Sequence, residues 1–465
     1  MTPSFLLSAS YSIHYLPPLH RYCIIGAGPS GLATARAFRE AGISFDVLER
    51  HGDVGGIWDM ANERTPMYES AHFISSRTQS AFDDFPMPES YPDYPGWRQI
   101  RDYIRSFAER YGLRDSIEFG VDIRRVAPAL DAPASWDVTL GSGETRRYRG
   151  VVCATGHNWD PVVPSYPGKF DGESYHSFEY RSPAEFAGKR VLVVGGGNSG
   201  CDIACDAAAS ASSAFISMRR GYHFLPKHLF GQPTDAFFRS GPHLPAWLAQ
   251  PLLTGLLRVL VGDLRRYGLP KPDHRVLESH PIVNSQLLHY LAHGDITARP
   301  DVAELRGRTV RFTDGSEEEI DLIVYATGYR ASIPVLDESL LPGGTGVAPF
   351  FLNIFHERPN LYAVGLFETD GAAYPIVSKQ ATLIATLIRA ESESPAALEW
   401  FSRLRASAPP DLTGGIRYLK SQRHSIYVQY DEYVHFLEKT LKKLARMPRH
   451  AASAPRAEAP HTVPA

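Results

Sequence analysis

The chain has 465 residues, 43% of them hydrophobic and 21% charged, and a formal net charge of -3. That length excludes a single small module and allows two or three domains with substantial cores. The near balance of charge gives no electrostatic reason to expect nucleic acid or an acidic membrane surface as a partner.

Residues 1–20 lack a basic start and a sustained apolar run, so they read as a loose N-terminal arm and not as a secretion signal. The stretch RYCIIGAGPSGLATARAFREAGISFDVLER follows. It predicts a strand over Tyr22 to Ile25, a turn through Gly26, Gly28 and Gly31 with Ser30 inside it, an Ala-rich helix, and a second strand closing on Glu49. This is a complete β-α-β dinucleotide fingerprint. The glycines let backbone approach a pyrophosphate, the helix N-terminus offers it N–H groups, and Glu49 is placed to accept from a ribose diol.

GGIWD comes next, with Gly56 and Trp58, followed by a Pro- and Tyr-rich run from Phe85 to Pro95 that reads as a wall-forming loop. Trp97, Ile100, Tyr103, Ile104, Phe107 and Tyr111 then keep helical spacing, most simply as a core stripe. Small β runs lead to VVCATGH, whose Ala154 and Thr155 end a strand where small residues let backbone pass close to a ligand.

KRVLVVGGGNSGCDIACDAAASASSAFISMRRG repeats the first unit, with Gly195, Gly197, Asn198, Ser199 and Gly200 in the turn. The acid is missing. Arg219 and Arg220 stand in its place and suit the extra phosphate of NADP, with Lys227 a little further on as the next cation. A second ATG ends the unit. Ala154 lies 128 positions after Gly26, and Ala326 lies 131 after Gly195, so the two halves share one layout.

The expected fold is therefore α/β, with two Rossmann-like dinucleotide-binding domains, the second inserted into the first. The expected boundaries are 21–165 and 329–446 for the first domain, 166–328 for the second, and 447–465 for a Pro- and Ala-rich disordered tail. LLTGLLRVLVGDL from Leu252 reads as an amphipathic helix or pocket lid, since no run reaches the roughly 18 apolar residues of a membrane span. The four cysteines are too few and scattered for a disulfide framework and point to the cytoplasm. Cys201 and Cys205 read as small buried helix residues.

One stretch is more specific than the loops. In FDGESYHSFEY, residues 170 to 180, Phe170, Gly172, His176 and Tyr180 match the identifying motif of the flavin-containing monooxygenases, which GAGPSG, GGIW, GGGNSG with its arginines, and ATGY also resemble. The resemblance covers residues 21 to 445. It implies FAD at the first loop and NADPH at the second, with His176 anchoring the crossing between domains. It further implies a flavin C4a-hydroperoxide that passes one oxygen from O2 to a soft nucleophile, an amine nitrogen or a sulfide, of a small organic substrate. Trp58, Ser75 and Gln380 are carried over as FAD contacts, and Ser199 and Gly200 as NADP contacts.

One position departs from the pattern. Ile74 stands where many members have an Asn beside the flavin. If HFISS is extended, His72, Ile74 and Ser76 share a face, and retained NADP together with His72 or Ser76 would hold the oxygenated flavin in place of that Asn. Baeyer–Villiger monooxygenases, acting on ketones, are the nearest alternative, but their motif ends in Trp followed by Pro or Asp, where this chain has Tyr180 and Arg181. A dithiol reductase would need a cysteine pair beside the flavin, and a dinucleotide-binding sensor would keep both loops without turnover. The partners expected are the small-molecule substrate and O2, with a homodimer left open.

Overall fold

In the computed structural model, residues 20–132, 134–241, 244–341, 358–408, 410–421 and 423–449 are described. They carry two five-stranded parallel sheets. The first runs in the order Leu361–Ala363, Gly150–Cys153, Tyr22–Ile25, Phe45–Glu49, Ile117–Phe119. The second runs Ile296–Arg299, Ser213–Ser217, Arg190–Val194, Leu322–Tyr325, Glu173–His176.

Central strands of both sheets are buried throughout, which is why YCII and LIVY read as unbroken apolar runs instead of alternating ones. In the first sheet, helices Pro29–Glu40 and Ala373–Glu393 pack together over one face around Leu32, Phe38, Ile384 and Ile388. The other face meets Val126, Trp136 and Val138 of a small antiparallel sheet. The second sheet repeats the plan with helix Asn198–Ser210 and the antiparallel strands Val302–Gly307, Thr309–Phe312 and Glu317–Glu319.

Every strand of the second sheet falls between residues 173 and 325, whereas the first takes its edge strand from residues 361–363. The architecture is thus two Rossmann-like units, one inserted into the other. Helix Trp97–Arg110 buries Trp97, Ile100, Tyr103, Ile104 and Phe107 of the stripe and adds Ala108, while Tyr111, the stripe's last residue, caps the helix half-buried.

The apolar run from Leu252 lies in helix Ala246–Leu260, and no residue of that helix lines the central cavity, so its reading as a lid is set aside. No helix among the described residues is long and apolar enough to cross a membrane. The arm and most of the tail lie outside the described residues. Of the tail, Pro448 accepts a hydrogen bond from Ser394 at 2.6 Å, and Arg449 reaches Glu393 at 4.0 Å.

Candidate functional site

Both glycine loops open on one continuous cavity of about 1470 Å³. A single small-molecule site occupies roughly 300–1,000 Å³, so the space suits two adjoining ligands better than one. Its lining includes Gly26, Gly28, Ser30, Glu49, Gly56, Trp58 and Thr155 from the first unit, and Gly195, Gly197, Asn198, Ser199, Gly200, Arg219 and Arg220 from the second.

The first loop is a cradle that side chains would fill. Gly26 has φ +102, and a Cβ there would sit 2.8 Å from the Ala154 carbonyl. Gly31 does not line the cavity; a Cβ on it would lie 1.8 Å from the Gly26 carbonyl, so its role is to seat helix on strand. A Cβ on Gly28 would lie 3.5 Å from the Gly56 Cα, so backbone stands on both sides of a narrow gap. Glu49 is 7% exposed and accepts from the backbone N–H of Ala27 at 2.5 Å and of His51 at 2.7 Å. Each oxygen keeps a lone pair for a ribose hydroxyl.

At the second loop a Cβ on Gly195 would meet the Ala326 carbonyl at 2.2 Å, which repeats the packing of Gly26 on Ala154. Asn198 is spent on the protein: its side chain donates to the Pro281 carbonyl at 3.0 Å and accepts from Val283 N–H at 2.9 Å. Arg219 is exposed at the strand end, and Arg220 pairs with Asp273 at 3.4 Å. Lys227 is elsewhere. Its Nζ lies 2.6 Å from His72 Nε2, and it does not line the cavity.

The motif of residues 170 to 180 is a set of fixed contacts. A Cβ on Gly172 would strike the Phe170 ring at 2.5 Å and the Asp321 carbonyl at 2.7 Å. His176 is 2% exposed and outside the cavity wall; its Nδ1 accepts from Phe178 N–H at 3.0 Å, and its ring meets Tyr329 edge-on at 5.2 Å. Its Nε2–H lies near the Gly328 carbonyl without a hydrogen bond of good geometry. Burial lowers its pKa to about 4, so the ring is neutral at pH 7. Tyr180 is fully buried, stacks on Phe186 at 4.8 Å and donates to Asp206 at 2.9 Å.

The segment HFISS is not an extended strand; His72 makes one isolated bridge, to Gly96, before the chain bends. His72, Phe73, Ile74 and Ser75 therefore all line the cavity, and the two-residue alternation fails. Ser76 turns away and gives both its N–H, at 2.7 Å, and its hydroxyl, at 2.9 Å, to Asp235. The nitrogens of His72 are also committed. An ammonium can only donate, so Nε2 accepts from Lys227, and the proton on Nδ1 points to the Ser70 carbonyl at 3.1 Å. Ser75 is different: Ser80 donates to its Oγ at 2.7 Å, which leaves the Ser75 proton for the cavity.

Gln380 is fully buried in helix Ala373–Glu393, off the cavity. It accepts from Gly365 N–H at 3.0 Å and donates to Tyr433 at 2.8 Å. It thus fixes a loop whose Gly365, at φ +81, does line the cavity.

Sequence reasoning missed several wall residues, notably Tyr374, Glu368, Arg423 and His280. Tyr374 stacks on Phe82 at 4.6 Å, and its hydroxyl is buried with no partner among the described residues. The fit to FAD rests on the first loop, where a Cβ on Gly26 would meet the Ala154 carbonyl and Glu49 keeps a free lone pair on each oxygen, as a pyrophosphate and a ribose diol require.

Comparison with known proteins decides the family. The model of the flavin-binding monooxygenase-like family matches residues 19–451. The chain is 32% identical to flavin-containing monooxygenase 5 of Mus musculus over 440 residues, 88% of this chain and 80% of that protein. This chain belongs to the flavin-containing monooxygenases.

Other relatives agree. The N-oxide-forming dimethylaniline monooxygenase 2 of Rattus norvegicus is 31% identical over 439 residues, 89% of this chain and 81% of that protein. Among solved structures, cyclohexanone monooxygenase from Rhodococcus sp. Phi1 bound to NADP+ shares the fold, with a TM-score of 0.67 at 18% identity, covering 92% of this chain and 98% of that one. As a flavin-containing monooxygenase the chain is an FAD- and NADPH-dependent oxidoreductase.

Proposed function

We propose that this monooxygenase transfers one oxygen atom from O2 to the nitrogen or sulfur of a small organic substrate, using NADPH. The observation that carries the reading is that two glycine cradles, one closed by Glu49 and one by Arg219 and Arg220, open on the same cavity. FAD, when bound, supplies hydride acceptance from NADPH and the activation of O2, chemistry that no side chain provides.

The chain's own residues orient and enclose. Gly26, Gly28 and Gly56 admit the pyrophosphate of FAD, Glu49 takes its ribose, and Trp58, Phe73 and Tyr374 form an aromatic floor with rings 4.7 and 5.6 Å apart. Arg219 and Arg220 read the NADP phosphate. His176 and Tyr180 hold the crossing between residues 166–328 and the flavin domain, acting on catalysis through placement. Ser75 is the donor beside Ile74, in the place first given to His72 and Ser76. Four buried, unpaired cysteines support a reducing, cytoplasmic setting.

Tyr180 followed by Arg181 favours heteroatom oxygenation over ketone insertion. The test is NADPH consumption, product formation and peroxide release with matched amines, sulfides and ketones. Oxygenated amine or sulfide with one NADPH consumed per product supports the proposal. Lactone or ester from ketones alone would replace it with the Baeyer–Villiger reading, and bound flavin that NADPH fails to bleach would leave a sensor.

A further inference from the structure

One part of the cavity wall is polar in a way the glycine cradles do not require. Strand Glu368–Thr369 pairs with Tyr427–Val428, bringing the loop before Tyr427 over the cavity. There Arg423 Nη2 lies 2.9 Å from Glu368 Oε2, while the other Glu368 oxygen faces His157 Nε2 at 3.4 Å. Burial alone would raise the Glu368 carboxyl, but the Arg423 charge and the His157 hydrogen bond outweigh it and hold it well below the usual range. Both residues line the cavity, and the Arg423 side chain, 40% exposed against 15% for Glu368, is the more open of the two. A guanidinium has five N–H donors, and Glu368 takes one.

Around this cation sit two histidine Nε2 atoms with no partner among the described residues. His280 is 9% exposed; its Nδ1 faces the Tyr427 hydroxyl at 3.1 Å, and its Nε2 is buried without a partner among the described residues. His424 repeats the pattern, with Nδ1 at 2.7 Å from Ser421 Oγ and an orphaned Nε2. Their rings lie 6.0 and 5.3 Å from the Tyr427 ring, so both orphans belong to one locus. His280, Arg423 and His424 all line the cavity. Burial lowers the pKa of His280 to about 3 and of His424 to about 4, so at neutral pH each ring is uncharged. In the tautomer in which the Tyr427 and Ser421 hydroxyls donate to Nδ1, each orphaned Nε2 carries the ring's N–H, and such donors next to a half-open guanidinium call for an anionic acceptor.

We propose that Arg423, His280 and His424 form a subsite for the carboxylate of the substrate, so that the nucleophile oxygenated is the sulfur or nitrogen of a carboxylic acid. The subsite rests on the monooxygenase reading above. A phosphate of the cofactor is the other oxyanion the cavity could deliver there.

The test is calorimetric titration of the oxidised, FAD-loaded protein at neutral pH with methylthioacetate and with its methyl ester, which needs no turnover. The acid binds at least about tenfold tighter than the ester in the unaltered protein. Arg423→Gln abolishes that preference. His424→Leu, at a half-exposed position less able to disturb folding, reduces it severalfold. Glu368→Gln strengthens acid binding by about three- to tenfold, because it removes the internal carboxylate that competes for the guanidinium; a merely structural role would weaken it.

Equal binding of acid and ester by the unaltered protein overturns the subsite. So does an Arg423→Gln protein that keeps the preference for acid but loses discrimination of NADPH from NADH, since the anion is then the cofactor's phosphate. Failure of the monooxygenase reading shows separately, as flavin that NADPH does not bleach whatever the titrations give.

Discussion

The Tyr180 hydroxyl donates to Asp206 at 2.9 Å, and the same carboxylate oxygen accepts from Ser70 at 2.5 Å. One acid on the helix behind the NADP loop thus ties the last residue of the 170–180 motif to the segment just before the flavin wall. Tyr180→Phe leaves a half-buried carboxylate short of a donor and is expected to cost about 1 kcal/mol of stability. Thermal unfolding measures it, and NADP+ binding weakens in step. An unchanged melting temperature and an unchanged NADP+ affinity would show that the contact ties nothing.

The glycines of the first loop separate by role. Gly31→Ala drives a methyl into the Gly26 carbonyl and is expected to cost about 3 kcal/mol or more, with little soluble protein recovered. Gly28→Ala meets only ordinary contacts in the protein, so it folds, yet it narrows the gap to Gly56 and yields colourless protein. Absorbance of the purified variants, with circular dichroism, separates the two outcomes.

Arg219 carries no ion pair among the described residues, while Arg220 is shared with Asp273. Arg219→Ala is therefore expected to lower the preference for NADPH over NADH by about ten- to a hundredfold, and Arg220→Ala by less. Ratios of kcat/KM for the two cofactors decide this. Full discrimination by the double variant would place phosphate recognition elsewhere.

Ser75 and Ser76 are neighbours with opposite surroundings. Ser75→Ala removes the hydroxyl open to the cavity and is expected to raise peroxide released per NADPH severalfold. Ser76→Ala removes the hydroxyl's bond to Asp235, leaving the backbone one, and lowers stability by about 1 kcal/mol with coupling nearly unchanged. Peroxide yield and unfolding, measured on both, tell them apart.

His176 makes stability depend on pH in a defined window. Its folded pKa, about 4, is below its ordinary value of 6.5, so unfolding takes up a proton between these values. The contribution is complete above 6.5 and fades as pH falls towards 4. Between pH 7 and pH 5 the loss is about 2 kcal/mol. His176→Gln lacks it, so its denaturation free energy falls by about 2 kcal/mol less over that interval. Parallel curves for the two proteins would refute the assignment.

The β-α-β units were legible because a dinucleotide cradle needs glycine at fixed spacing, and Gly26 and Gly195 each sit against an ATG carbonyl as the repeat implied. Loops were read less well. HFISS bends after one bridge, so a rule of alternation taken from strands put Ser76 in the wall, whereas Ser75, which entered only through the family resemblance, is the serine that lines it. Gln380 entered as a cofactor contact through the family resemblance, whereas its amide is used by Gly365 and Tyr433. Glu368, His280 and Arg423 had no local signature: they come from separate segments and meet only when a two-residue strand pairs with another.

The order in which the chain leaves a ribosome gives the insertion a further meaning. All strands of the second sheet are present once residue 325 has emerged, but the first sheet waits for Leu361–Ala363 to cover the open side of Gly150–Cys153. Until then Val151 and Val152, fully buried in the finished protein, lie on an unpaired edge. The nascent protein can thus complete its hydride-donor half while its flavin half still presents a sticky border, and the interval between the emergence of residue 325 and that of residue 363 is when the half-finished molecule needs protection from its neighbours.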